Sequence, residues 1–440
     1  MRCEKSIWKF DAEGKRPIKA AKIQKKGGDM IKKRTSGIMF LAAILIILMT
    51  MPAWAAEPIK IALFDPRSGP FKRTGDTYAA AIQFLAEEIN ESGGLLGRKV
   101  EIIEEDSQLK PDVAVRKATK NVMDGVKFIA TGTGTHVALA LQQVAAKEKV
   151  VFFSYGAEGD EVTGKFCSPY TFRVSPNTEM RSLAIANFLA TKPLRKFYTI
   201  NMDYAFGHDA AKGFIRRVKQ AMPDAQIVGE EYHPIANKDF GPYISKIIAA
   251  KPDVIFTGNW GVDLVNLIKQ ARDLGMKAPF ICYYLNDPSQ VLNVVKETAI
   301  GSWGCEAYME TIRTPANKAF LQAWSKKPKF VEFEKWPAIN IGKAYNGTKF
   351  LTEAIKKAGT VDIPTVIKTF EGMKWESIIG PMVMRAEDHQ VMMPLPVGEV
   401  VKTTNEFYPF PYMGEPYMVP IEKSTVPLNE TGCNRKKGEL

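Results

Sequence analysis

From Ile59 onward the chain alternates short β-rich runs with segments of helical period, and this alternation restricts its fold more than any other feature. Residues 59–64 read as a strand, after which Tyr78, Ile82, Leu85 and Ile89 recur at helical spacing until Gly93 and Gly94 stop the helix. Further strands are predicted over 100–103, 127–131 and 150–154, with helices over 113–122 and 137–146 between them. Strands that return after each helix make a parallel sheet covered on both faces. A second series follows Val174, Ser175 and Pro176, with strands over 196–201, 227–232, 253–257, 280–284 and 302–307. The expected fold class is therefore α/β, with two doubly wound lobes. A later helix over 344–358 ends at Gly359, and beyond Met392 the chain becomes Pro- and aromatic-rich. So many rings suit an ordered wrap over the surface rather than a solvated linker.

The formal charge of +12 on 440 residues would suit a nucleic-acid partner if it were spread over the folded region. It is not. Residues 1–55 hold 12 Lys and Arg against 4 Asp and Glu, and the remainder holds 48 against 44. No nucleic-acid partner is expected. Within the leader, Lys32, Lys33 and Arg34 precede an apolar run over 38–51 broken only by Thr50, followed by Ala53, Trp54 and Ala55. As a helix that run would span about 21 Å, short of the roughly 30 Å hydrocarbon core, and small residues at −3 and −1 suit a signal peptidase. We expect a signal peptide cleaved after Ala55, residues 1–29 as an extension ahead of a true start at Met30, and a soluble periplasmic product. A short membrane anchor is the alternative, but no basic stretch follows to stop transfer.

The standard catalytic constellations are missing. The sequence contains no H-E-x-x-H, no G-x-S-x-G, no Walker loop and no C-x-x-C, and the run Gly132, Thr133, Gly134 lacks the third glycine of a dinucleotide fingerprint. The four histidines, His136, His208, His233 and His389, never stand four apart, and the acidic run Glu101, Glu104, Glu105, Asp106 suits a solvated sheet edge. No enzyme activity, metal or cofactor is expected. Cys167, Cys282, Cys305 and Cys433 follow the leader; export permits disulfides, and three complete pairings stay open.

What the sequence offers instead is polar loops where strands end and helices begin. The loop over 131–135 carries Thr133 and Thr135 ahead of a helix starting near His136, where free backbone N–H groups would suit a carboxylate. Helix capping alone would also account for it. The next strand ends in Ser154, Tyr155, Gly156, Ala157 and Glu158, at the carboxyl edge where doubly wound sheets bind ligands. Thr74, just before Gly75, opens on the same edge, as a ligand contact or as an N-cap.

Short motifs in order carry a family resemblance. They are Ser68, Gly69, Pro70 and Gly75; Ile89, Asn90, Gly93, Gly94, Gly97, Arg98 and Asp106; Tyr170, Phe172, Arg173, Ser175 and Pro176; Phe206 and Gly207; Gln270, Ala271, Arg272 and Gly275; and Arg385, Asp388, His389 and Gln390. Over nearly all of 58–395 the chain resembles the leucine/isoleucine/valine-binding protein family, the type I periplasmic solute-binding proteins of ABC transporters. The resemblance implies two lobes joined by three crossovers, expected at 174–176, 307–310 and 378–381. Lobe I would comprise 58–176 and 308–379, lobe II 177–307 and 380–400, and a wrap and tail 401–440. It also implies a monomer that delivers a small-molecule ligand to an inner-membrane permease; a receptor handing its closed form to a signalling partner is the alternative.

The same resemblance places a ligand carboxylate against Thr135 or, one residue on, His136, with Gly156, Ala157 and Glu158. Phe206, Trp260 and Tyr284 fall at cleft-facing positions of the second lobe. Glu158 stands where branched-chain binders have Thr, and Tyr284 where they have an acidic partner for the ammonium. Losing a charge-assisted contact worth about 1.5–3 kcal/mol makes an aliphatic amino acid a poor fit. Three rings suit a flat or bulky ligand, either an aromatic acid or a cation held by ring faces and Glu158.

Overall fold

The computed structural model describes residues 9–10, 17–18, 57–402, 407–436 and 438. The leader's apolar run and the expected cleavage point lie outside them. The chain divides into a unit Met1–Ala56, in which Lys9–Phe10 pairs antiparallel with Pro17–Ile18, and a unit Glu57–Leu440 that holds both lobes.

The first lobe is built on five parallel strands: β1 (Ile59–Asp65), β2 (Val100–Asp106), β3 (Phe128–Thr131), β4 (Val151–Ser154) and β5 (Thr171–Arg173). They lie in the order β2-β1-β3-β4-β5. Every residue of β3 and β4 is buried, as strands covered on both faces require. The acidic end of β2 is indeed on an edge strand, but it is not merely solvated: Glu104 pairs with Arg67, Glu105 with Lys117, and Asp106 accepts from Ser68 and the Arg67 N–H. Helices α1 (Lys72–Glu91), α2 (Pro111–Met123) and α3 (Thr135–Glu148) complete the winding.

The second lobe repeats the device. After α4 (Thr178–Leu189) come β6 (Lys196–Met202), α5 (Ala205–Ala221), β7 (Gln226–His233), α6 (Gly241–Ala250), β8 (Val254–Thr257), α7 (Gly261–Asp273), β9 (Phe280–Cys282) and β10 (Trp303–Cys305). The parallel order β7-β6-β8-β9-β10 copies that of the first lobe. Both lobes seat the helix after their first strand on a glycine. A Cβ on Gly75 would fall 2.0 Å from the Pro66 carbonyl oxygen, and one on Gly207 would fall 1.9 Å from that of Met202. Only glycine lets helix and strand approach so closely.

Chain from the second lobe returns to the first as α8 (Pro315–Ser325), α9 (Pro328–Phe333), α10 (Ile339–Ala358) and α11 (Ile363–Phe370), with Tyr345 of α10 stacked on Phe320 and tilted against Phe84 of α1. The connections between sheets run through 174–177 and 306–314. The third differs from expectation. Residues 378–381 do not cross; they turn the hairpin between β11 (Lys374–Ser377) and β12 (Gly380–Met384), which with β13 (Val391–Met392) stays on the first lobe through a bridge from Gln390 to Arg173. The chain crosses instead at Met393 and Pro394, and β14 (Leu395–Val401) joins β10 antiparallel. The expected lobe boundary at residue 380 therefore moves to about 393. Strands β15 (Tyr412–Met413) and β16 (Tyr417–Val419) both pair with β14, and Phe407, Tyr408 and Tyr412 are buried while Tyr417 is 44% exposed, so the tail, expected as an ordered wrap, extends the second sheet. The chain then returns to the first lobe, where Cys433 is disulfide-bonded to Cys167, leaving Cys282 and Cys305 as buried thiols. Among the described residues no helix is long and apolar enough to cross a membrane.

Candidate functional site

In each lobe the strand order reverses beside the first strand, and loops leaving the carboxyl ends there frame a crevice. On the first lobe these are the loops after β3 and β4. Gly132 and Gly156 press on two tyrosine rings, Tyr78 and Tyr155, whose centroids lie 5.1 Å apart. A Cβ on Gly132 would sit 2.5 Å from the Tyr155 ring, and one on Gly156 2.3 Å from the Tyr78 hydroxyl. Asp65 ties the floor together, accepting from the Tyr155 hydroxyl, the Gly132 N–H and Thr131 Oγ1. Burial pushes its carboxyl above the usual range, against the pull of the Tyr155 hydrogen bond.

The candidate residues of this lobe separate into distinct environments. Thr133 Oγ1 is buried beside the Asp65 carboxylate, with no hydrogen bond of ordinary geometry. Thr135 opens α3, and its hydroxyl accepts the Gly159 N–H at 3.1 Å, which ties the two loops together. His136 is exposed and turned outward, its Nε2 3.1 Å from the Leu109 carbonyl. The Ala157 N–H is already taken by Ser154 Oγ at 3.1 Å. Thr74 is the third residue of α1, not its N-cap, which is Phe71.

The second lobe faces these loops with rings. Tyr284 and Phe206 have centroids 6.4 Å apart, Phe206 and Tyr204 5.9 Å, and the Tyr204 hydroxyl accepts from Trp260 Nε1 at 3.1 Å. Trp260, 37% exposed, reaches across to Phe71 of the first lobe at 5.9 Å. An aromatic wall thus runs from Tyr284 at the base to Trp260 at the rim, and at the base the Tyr284 hydroxyl approaches Glu158 to 3.5 Å. The structure brings Thr133, Thr135, Gly156, Glu158, Phe206, Trp260 and Tyr284 to this crevice and leaves His136 outside it.

Glu158 is committed within the protein. Arg181 Nη1 and Lys343 Nζ lie 2.5 and 3.0 Å from its two oxygens. Burial opposes its charge, but Arg181 and then Lys343 outweigh that and hold the carboxyl below the usual range. Both cations also approach Glu306, Arg181 Nη2 at 2.8 Å and Lys343 Nζ at 3.6 Å. Sequence reading missed these three residues and Tyr204. The sequence signal was thin: Arg181 is the one cation of α4, and Lys343 is one of four lysines in α10.

The remaining histidines are structural. His389 stacks on Phe172 at 3.9 Å and faces the Thr171 carbonyl and Glu371; buried His233 meets Asn259 at 2.7 Å; His208 meets Asp203 at 2.8 Å. The motif residues Arg173 and Gln390 bond one another at 2.6 Å beneath β5, which marks fold rather than ligand. Among the described residues no group of three or more His, Cys, Asp or Glu is placed to hold a metal ion.

Two lobes of matching strand order around such a crevice define a type I binding fold, and the comparisons agree. The family described as "Periplasmic binding protein" matches residues 58–405. The Leu/Ile/Val-binding protein homolog 4 of Brucella abortus is 31% identical over 405 residues, covering 84% of this chain and 92% of that one. The leucine-, isoleucine-, valine-, threonine-, and alanine-binding protein of Pseudomonas aeruginosa is 27% identical over 80% and 92% of the two chains. Among solved structures, the protein of that description from Brucella ovis, in a closed conformation, superposes with a TM-score of 0.77 at 29% identity over 85% of this chain and 98% of the other. A solute binding protein of an ABC transporter from Rhodopseudomonas palustris, in complex with 3,4-dihydroxy benzoic acid, gives 0.70 at 28% over 83% and 98%. The chain belongs to the periplasmic binding protein family, among the Leu/Ile/Val-binding proteins of ABC transport. These are solute-binding proteins, not enzymes.

Proposed function

We propose that the protein is exported, captures a small solute bearing a carboxylate at one end and a flat or apolar body at the other, and delivers it to an inner-membrane ABC permease. The observation that carries this reading is the division of polarity across the crevice. On one side stand the buried hydroxyl of Thr133 and the N-terminus of α3, where the helix dipole and unpaired N–H groups favour an anion. On the other stand Tyr284, Phe206, Tyr204 and Trp260. The Rhodopseudomonas relative with its dihydroxybenzoic acid supports an aromatic acid, and the Brucella and Pseudomonas relatives, named for binding leucine, isoleucine and valine, support the apolar body. The basic, apolar and small-residue order of the leader supports export.

Thermal unfolding of the mature chain against a panel of aromatic acids, aliphatic acids, amides and amino acids tests the reading. A solute at 100 times its Kd should add about 2.7 kcal/mol of stability. If no small solute stabilises the protein, it is not a solute carrier of this kind.

A further inference from the structure

At the base of the crevice, where the aromatic wall meets the first lobe, four charged side chains are buried together. Glu158 is 7% exposed, Lys343 4%, and Arg181 and Glu306 0%. They come from four places: the loop after β4, the first turns of α10, helix α4, and the second connection between lobes. Arg181 is fixed on every side. Besides the two carboxylates it donates to the carbonyls of Tyr283 and Cys305, and its guanidinium lies 4.5 and 4.8 Å from the rings of Tyr283 and Tyr284. It cannot turn aside for a ligand. Lys343 is the adjustable member, a single flexible amine between Glu158 and Glu306.

The charges balance, two against two. An α-ammonium arriving beside Tyr284 would look for Glu158, the carboxylate that the Tyr284 hydroxyl approaches, and would find both of its oxygens taken by desolvated cations. Of the other carboxylates near the crevice, Asp65 is held by Tyr155, Gly132 and Thr131 and Asp106 by Arg67 and Ser68, while Asp160 and Asp263 each accept one backbone N–H, from Glu179 and Ala236, and Asp263 Oδ1 stays without a hydrogen bond in the 1% exposed side chain.

We propose that Lys343 sets the charge of the ligand: together with Arg181 it turns Glu158 from an ammonium acceptor into a neutral wall, so that the crevice takes carboxylates without an α-ammonium. The inference rests on the proposed function and narrows its ligand to a class. It also makes Lys343 a residue that excludes amino acids rather than one that binds the solute.

Matched probes that differ only in the ammonium test this by titration calorimetry: 3-phenylpropanoate against L-phenylalanine, and 4-methylpentanoate against L-leucine. The wild type should prefer the deaminated member of whichever pair binds by roughly 10- to 100-fold, the worth of one charge-assisted contact. Lys343→Met should shrink that preference about tenfold or more, with the amino acid gaining and the acid losing affinity. Lys343→Arg should keep it. If Lys343→Met does not fold, Glu158→Gln serves, because it leaves the quartet net positive and should tighten the acid while the amino acid stays excluded. A merely structural lysine would weaken both members of a pair alike, and that result would overturn the proposal. So would a wild type that binds the amino acid as tightly as its deaminated analogue, which would leave the transport reading intact. Failure of every solute in the wider thermal panel would instead remove the transport reading, and this inference with it.

Discussion

Thr133 is the residue whose environment speaks most directly to a ligand, because its buried hydroxyl, beside the Asp65 carboxylate, makes no hydrogen bond of ordinary geometry within the protein. Thr133→Val should therefore leave the free protein's Tm nearly unchanged and weaken a carboxylate solute by about 0.5–1.5 kcal/mol. A large fall in Tm with unaltered affinity would mean that the hydroxyl serves the core. Trp260→Ala should cost more affinity than Thr133→Val if the ring packs on the solute. Glu310 supplies a separate, pH-dependent test. It is buried beneath the tail, with the hydroxyls of Tyr408 and Tyr412 each 2.7 Å from one of its oxygens. Burial nonetheless pushes its carboxyl from 4.5 up to about 7. Between those two values the folded protein holds a proton that the unfolded chain has released, so this group's stabilisation is complete below pH 4.5 and is lost as pH rises through 7. The Tm of Glu310→Gln relative to wild type should rise over that interval. A difference flat with pH would show that Glu310 is charged in the folded protein throughout.

At the scale of elements, the alternation of 2.0 and 3.6 periodicity made the two parallel sheets legible, and the loops at their carboxyl ends followed from the winding alone. Thr133 and Thr135 were reachable in that way because each sits within a few residues of a strand end, whereas Phe206 and Tyr284 came from the family resemblance. Arg181 and Lys343 were not reachable, since they enter from helices, 23 and 185 residues from Glu158, and only packing brings them to it. The hairpin of β11 and β12 and the strands of the tail were missed for another reason. They are two to five residues long, too short for a period to show, and β15 and β16 are flanked by prolines that read as loop. The disulfide could not be chosen from three pairings without the tail's path. It closes 266 residues of chain, and Cys433→Ser should lower stability by about 2–4 kcal/mol, measured by denaturant unfolding. A smaller loss would mean that Arg435, which donates to Glu371 and the Ala386 carbonyl, holds the tail without the covalent bond.

For the whole molecule, three crossovers and the disulfide-bonded return of the tail join the two lobes, and the contacts of Trp260 with Phe71 and of Tyr284 with Glu158 draw them together across the crevice. A solute that touches both walls favours this arrangement over an open one by its extra contacts. Small-angle scattering should show the radius of gyration fall when saturating solute is added; an unchanged radius would mean that binding does not depend on closure. The most direct measurement is a crystal structure with the best-stabilising solute of the thermal panel. The account predicts that solute between residues 131–158 of the first lobe and 204–284 of the second, with its carboxylate at Thr133 and the N-terminus of α3 and its body against Phe206, Trp260 and Tyr284. A solute bound outside that crevice would contradict it.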